Sequence, residues 1–228
     1  MEAGSALGAG QAVDREPRPR VRQEKGALQR LIRLAESSCE WVLGYEDETW
    51  WSRFEQPSLR SWAEAGEPMR LLQKEAKKGD PDPKALSCYG LYLPELGRTW
   101  LRFVDGRPVS AITTQFLEWN CQKLEELGKK ALLLVWDNAS WHKSRFVKKW
   151  IAAHNHRVKE RRSGVRILPC FLPKKSPWLN AIEPKWVHGK RRAVEPEVVL
   201  TAHELADRVC EIFSCEHEPH LSIPQEVT

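Results

Sequence analysis

Residues 131–136, Ala-Leu-Leu-Leu-Val-Trp, form an apolar run that ends on Asp137. Such a short unbroken run predicts a buried strand and is too short to cross a membrane. Strands of α/β sheets present functional groups just beyond their C-terminal ends, which makes Asp137 a candidate. Upstream, residues 41–51 alternate, with Trp41, Leu43, Tyr45, Asp47 and Thr49 on one face and Glu46 and Glu48 on the other. A carboxylate in line with Trp, Leu and Tyr is costly on a half-buried face unless something compensates its charge. The competing reading ends the strand at Tyr45 and leaves Glu46, Asp47 and Glu48 in a solvated turn. Runs at 86–93 and 99–104 predict two strands, and Pro94, Glu95, Leu96 and Gly97 between them predict a hairpin.

Helical periodicity follows. Ile112, Phe116, Leu117, Cys121, Leu124 and Leu127 predict a helix capped by Ser110 and closed by Gly128. Residues 143–162 predict a second, with Phe146, Val147, Trp150 and Ile151 inward and Lys143, Arg145, Lys148 and Lys149 outward. Residues 165–168 read as a short strand and 200–213 as a further helix; near the N-terminus 23–38 read as a short amphipathic helix. Between them lies the loop 172–182, rich in Ser, Pro and Asn, which runs into a helix start carrying Glu183. Strand, hairpin, helix, strand, helix, strand, helix is the order of an α/β sheet with its helices interleaved late.

Composition narrows the class. A chain of 228 residues with 41% hydrophobic residues and eleven Trp holds one sizeable domain. Residues 1–13 lack the basic and apolar regions of a secretory signal. Six Cys with no C-x-x-C pair read as reduced thiols of a cytoplasmic protein. His203, Cys210, Cys215, His217 and His220 fit no standard zinc spacing. Net charge is +5, unevenly spread: residues 143–192 hold fifteen Lys and Arg against two acids, whereas 193–228 hold eight acids against Arg208 alone. A basic block this dense is the footprint of a polyanion-binding surface, although a solvated basic helix face has the same composition.

Two motifs carry the chemistry. The first is Asp137-Asn138 with His142 five residues beyond Asp137; the second is Ser176-Pro177-x-Leu179-Asn180-x-Ile182-Glu183-x-x-Trp186. Taken singly, Asp137-Asn138 is also ordinary turn chemistry, and Asn180-x-x-Glu183 is also a capping box. Together they resemble the catalytic region of DDE transposases, specifically bacterial insertion-sequence members of the mariner superfamily. Asp47-Glu48-Thr49 resembles the family's first acidic motif, and Pro57-x-x-Arg60-x-Trp62-Ala63-x-x-Gly66 an insertion between its first two strands.

That resemblance implies a ribonuclease-H-like mixed sheet flanked by helices over residues 39–213, after a disordered lead-in with a short helix (1–38) and before a flexible acidic tail (214–228). It implies metal-dependent cleavage and strand transfer of DNA, with Asp47, Asp137 and Glu183 as catalytic and metal-binding residues. Phosphodiester attack suits two Mg²⁺ (or Mn²⁺) ions, and these hard cations prefer carboxylate oxygen. Asn138, His142 and Asn180 are assigned to positioning, since Mg²⁺ does not favour imidazole. Lys143, Arg145, Lys148, Lys149, Arg161, Arg162, Lys174, Lys175, Lys190, Arg191 and Arg192 are the expected DNA-binding residues. Trp178 is a candidate for base stacking and Trp186 for core packing. The implied partners are double-stranded DNA, at transposon ends and target, and a second copy of the chain. The implied location is the cytoplasm, at the nucleoid, without a membrane. No helix-turn-helix pair fits the first forty residues, so the expectation is a catalytic half whose DNA-reading half is separately encoded. A ribonuclease-H-like nuclease without strand transfer and an inactive DNA-binding remnant of a decayed element are the competing readings.

Overall fold

The computed structural model describes residues 19–56, 74–174 and 176–223. The lead-in at 1–18, the motif at 57–66, Lys175 and residues 224–228 lie outside the described residues.

Helix α1 (Pro19–Glu36) leads into strand β1 (Trp41–Ser52). The hairpin follows as β2 (Ala85–Leu93) and β3 (Arg98–Asp105), turned by Pro94–Leu96 and by Gly97, whose φ of 61° is a conformation glycine adopts without strain. Then come α2 (Ser110–Glu126), β4 (Ala131–Trp136), α3 (Arg145–Arg161), β5 (Arg166–Phe171), α4 (Glu183–Ala193), α5 (Ala202–Phe213) and the short β6 (Leu221–Ser222). The sheet runs β5-β4-β1-β2-β3-β6. β1, β2 and β3 are antiparallel neighbours, whereas β4 and β5 run parallel to β1. This is the mixed sheet that the resemblance implies.

Helices cover both faces. One layer packs Leu43, Tyr45, Trp51, Leu133 and Val135 of the sheet with Leu28, Trp186, Leu205 and Val209 of α1, α4 and α5. The other packs Val42, Leu132, Leu134 and Trp136 with Ile112, Phe116, Val147 and Ile151 of α2 and α3. β4 is buried throughout because it sits between two strands and two helix layers. β5 extends through Pro169, beyond the strand expected at 165–168; as an edge strand it has a free side where a missing N–H breaks no ladder.

β1 pairs with β2 as far as Ser52, so the acidic triplet is strand, as the alternation predicts, and the competing reading of a turn after Tyr45 falls. Three expectations need correction. Ser110 does not cap α2; its hydroxyl donates to Ser144 Oγ at 2.9 Å, while Ser144 caps α3. Phe146 points outward at 55% exposure, because Val147 and Ile151 already fill the seam against the sheet. The acidic segment from 214 is tied down as far as 222: Lys123 pairs with Glu218 at 2.8 Å, Arg102 Nε donates to the Pro219 carbonyl at 3.0 Å, and Leu221 pairs with Val104.

Candidate active site

Strand register decides where the first two acids stand. β1 and β4 are parallel neighbours with Tyr45 opposite Val135. Asp47 lies two residues beyond that last pair on β1, and Asp137 follows directly on the end of β4. The third acid arrives from the loop after β5. Asn180 is buried and its Nδ2 donates to the Glu46 carbonyl at 3.0 Å, which clamps that loop to β1. Asn180 therefore does not act as a helix cap; Glu183 opens α4 directly after Ile182. Asn138 performs a matching task, its Nδ2 bonding the Leu172 carbonyl at the other end of the loop. Asp47, Asp137 and Glu183 all line one cavity of about 370 Å³, together with Asn138, Lys143, Lys174 and Asn180.

The electrostatics are those of crowded carboxylates. Burial, then the nearby charges of Glu183 and Glu48, push the Asp47 carboxyl up to about 7, even though Trp186 Nε1 donates to its Oδ2 at 3.0 Å. Asp137 is half exposed and behaves oppositely. Burial alone would raise it, but the bonds from His142 Nδ1 (2.9 Å) and the Ala139 N–H (2.7 Å) hold it below the usual carboxylate range. Both bonds fall on Oδ1, so Oδ2 is the oxygen available to a ligand.

Behind the pocket lies a network that sequence reasoning did not find. His142 is fully buried, stacked on Trp136 at 4.6 Å between ring centroids. Its Nδ1 meets Asp137, and its Nε2 meets Glu48 Oε1 at 3.0 Å and Glu46 Oε2 at 3.3 Å. Trp141 Nε1 also donates to Glu48 Oε1, at 2.7 Å. Burial disfavours the charged ring, but Glu46, Asp137 and Glu48 together carry His142 up to about 11. Burial raises Glu46 well above the carboxylate range, and the His142 charge offsets this only in part. Glu46, Glu48 and His142 are also close enough to hold an ion; with Nδ1 against Asp137 and Nε2 against Glu48, the ring braces the Asp137 carboxylate. The alternation of β1 set Glu46 and Glu48 opposite Asp47 but carried no sign that His142 would meet them.

The expected cationic residues separate into groups. Lys143 and Lys174 line the acid pocket. Arg145, Lys148 and Lys149 are exposed on the first turns of α3. Arg161 and Arg162 stand at the other end of that 17-residue helix, about 24 Å away at 1.5 Å per residue, beside the start of β5. Arg192 lines a different and larger cleft, of about 790 Å³, with Lys185, His188 and Trp119. That cleft is larger than the acid pocket but does not contain the three acids. Trp186 is buried, in edge contact with Trp51 and Phe213, whereas Trp178 is 74% exposed beside the acid pocket.

A family model described as DDE superfamily endonuclease matches residues 43–205. Among solved structures, the Mos1 transposase paired-end complex with left transposon end superposes with a TM-score of 0.61 at 16% identity, covering 93% of this chain and 60% of that one. The Mos1 mariner paired end complex with Mn gives 0.60 at 15%, covering 93% and 60%. The catalytic domain of Mos1 mariner transposase gives 0.53 at 14%, covering 88% and 84%. The chain thus spans about 60% of the length of the chains in those paired-end complexes. At these identities the likeness shows the fold, and it is the ribonuclease-H-like fold. No curated protein sequence matches the chain.

Proposed function

Because this chain belongs to the DDE superfamily endonucleases, we propose that it is the catalytic domain of a transposase, cutting and joining DNA strands at Asp47, Asp137 and Glu183. The observation that carries this reading is the convergence of those acids, from β1, β4 and α4, on one cavity.

The donor set fits Mg²⁺ or Mn²⁺. It consists of carboxylates with no thiolate, the one nearby imidazole has both ring nitrogens engaged by carboxylates, and Asp47 is raised by burial and by its acidic neighbours in a way that a divalent cation relieves. Such ions, two in this reading, supply activation of the attacking oxygen and stabilisation of the leaving oxygen. The chain's own residues do the rest. His142 fixes the Asp137 carboxylate through Oδ1 and leaves Oδ2 for the ligand. Trp186 fixes Asp47 in the same manner. Asn180 and Asn138 hold the loop that carries Glu183. Lys143 and Lys174 flank the acids and attract the phosphates that the acids alone would repel. Arg145, Lys148 and Lys149 extend this positive edge; Lys190, Arg191 and Arg192 on α4, and Arg161 and Arg162 at the far end of α3, offer separate contacts.

Transposon-end and target duplexes are the proposed substrates, a second copy of the chain and a separately encoded helix-turn-helix half the proposed partners, and the bacterial nucleoid the proposed location. No described helix is long and apolar enough to cross a membrane. The test is to incubate the chain with supercoiled plasmid and with a pre-cut oligonucleotide bearing a free 3′-hydroxyl, in Mg²⁺ and in chelator. Metal-dependent nicking with joining of the oligonucleotide supports the transposase. Nicking without joining supports the plain nuclease, and neither activity contradicts the proposal.

A further inference from the structure

At the β3–β6 edge of the sheet, two histidines of the tail face each other. His217 Nε2 and His220 Nε2 are 3.3 Å apart. Each ring is held from behind by a carboxylate: His217 Nδ1 meets Asp207 Oδ1 at 2.6 Å, and His220 Nδ1 meets Asp105 Oδ1 at 2.8 Å. Neutral imidazoles that donate Nδ1–H to those carboxylates turn two bare lone pairs toward one another. That arrangement is repulsive unless a cation or a shared proton stands between them. Two nitrogens bound tetrahedrally at about 2.0–2.1 Å from a Zn²⁺-like ion are about 3.3–3.4 Å apart. A carboxylate on the second ring nitrogen is the usual support of a metal-binding histidine. Phe103, itself buried, packs against both rings, at 5.7 and 5.6 Å between centroids, and so shields one side from water.

We propose that His217 and His220 bind a borderline transition-metal ion, Zn²⁺ or a close relative, between their Nε2 atoms, with His203 as a further ligand. His203 is four residues before Asp207 on α5, its ring lies 5.2 Å from that of His217, and it is 77% exposed with its Nε2 3.6 Å from Asp207 Oδ2. Ligand atoms of His203, Asp207 and His217 lie within 4.8 Å of one another, a group that does not include His220, so His203 reaches the ion only by turning its ring. The ion joins α5, the end of β3 at Asp105 and the tail, and thereby secures β6 on the sheet edge. The cysteines considered as zinc ligands play no part: Cys210 and Cys215 hydrogen-bond to each other. The site is independent of the acid pocket, whose hard carboxylates select a different metal class.

The test uses the full chain without a histidine tag, stripped with chelator and titrated with Zn²⁺ against a chromophoric competitor. One tight equivalent is expected, together with the visible absorption of tetrahedral Co²⁺ on cobalt loading. H217A/H220A should weaken binding at least a hundredfold, and D105N by about 10–100-fold. D47N/D137N/E183Q should retain the zinc, and H217A/H220A should retain whatever Mg²⁺-dependent nicking the wild type has. Unaltered zinc affinity in H217A/H220A, or no bound equivalent in the wild type at micromolar Zn²⁺, overturns the proposal, the latter leaving a shared proton between the rings. Should H217A/H220A fail to fold, pulsed electron paramagnetic resonance of Cu²⁺-loaded wild type decides: equatorial coupling to two imidazole nitrogens supports the site, and its absence refutes it.

Discussion

Replacing Trp186 by Phe removes one hydrogen bond at the acid pocket. The indole Nε1 donates to Asp47 Oδ2 at 3.0 Å, while its ring packs on Trp51 and Phe213. Phe keeps an aromatic ring in that core and removes the donor, but also vacates the space of the indole's outer ring against Gly90, so the fold control is part of the test. A hydrogen bond to a charged group contributes about 1.5–3 kcal/mol. At 1.36 kcal/mol per tenfold change in proton affinity, its loss raises the Asp47 carboxyl by roughly 1–2 pH units from its value of about 7. At pH 7 the ionised share then falls from about one half to between about one in ten and one in a hundred. The direction follows from the chemistry: the donor stabilises the carboxylate, so without it the proton stays on to higher pH. W186F should therefore need roughly 5–50-fold more Mg²⁺ for half-maximal nicking at pH 7 and regain most of its activity near pH 9. The assay is plasmid nicking across pH 6–9 over a range of Mg²⁺, with circular dichroism as the fold control. A profile superimposable on wild type, or a loss that high pH does not restore in a folded variant, refutes the role given to this bond.

Three further outcomes follow. Gly90→Ala should destabilise the chain by about 1–3 kcal/mol in urea unfolding, because a Cβ there would stand 2.3 Å from the Trp186 ring; an unchanged midpoint contradicts the packing described. Without divalent metal, the melting temperature of the wild type relative to Asp47→Asn should fall as pH rises from about 4 to about 7. Folded Asp47 holds its proton up to about 7 while the unfolded residue releases it near 3.8, so the folded state is favoured at the acid end of that window; added Mn²⁺ should oppose the trend. Neutralising Lys143 and Lys174 should lower the slope of log affinity against log salt by roughly 0.9 per lost phosphate contact, whereas neutralising Arg161 and Arg162, at the far end of α3, should lower it less. Equal slopes in the two variants would mean that the basic block acts as one surface.

Much of the sheet was legible because its signals are local. The run 131–136 is β4 residue for residue, and the hairpin at 94–97 turns where Pro and Gly put it. Asp47 is chosen over Glu46 and Glu48 because Asp47-Glu48-Thr49 resembles the family's first acidic motif, on a strand whose alternation puts it in line with Leu43 and Tyr45. What periodicity could not show are contacts between distant segments. His142 meets Glu46 and Glu48 across more than ninety residues, and Asn180 reaches the Glu46 carbonyl across 134. A capping-box pattern is a local rule, and at Asn180 a long-range bond displaced it. The basic block looked continuous along the chain, but one helix carries its parts to opposite ends of the sheet. The tail read as flexible because charge and proline dominate it; its anchors, Asp105, Arg102 and Lys123, lie far upstream.

The central claim is that Asp47, Asp137 and Glu183 act together as one metal-dependent phosphodiester-cleaving centre. Its most direct test is the rate of supercoiled-plasmid nicking in Mg²⁺ by D47N, D137N, E183Q and the D47N/D137N double variant, each shown to be folded. A metal-ligand role contributes several kcal/mol, so each single variant should lose on the order of a thousandfold or more in rate. Groups that act as a unit are not additive, so the double variant should be scarcely slower than the worse single one. Near-wild-type nicking by D137N, or losses in D47N and D137N that multiply in the double variant, would contradict a single shared centre.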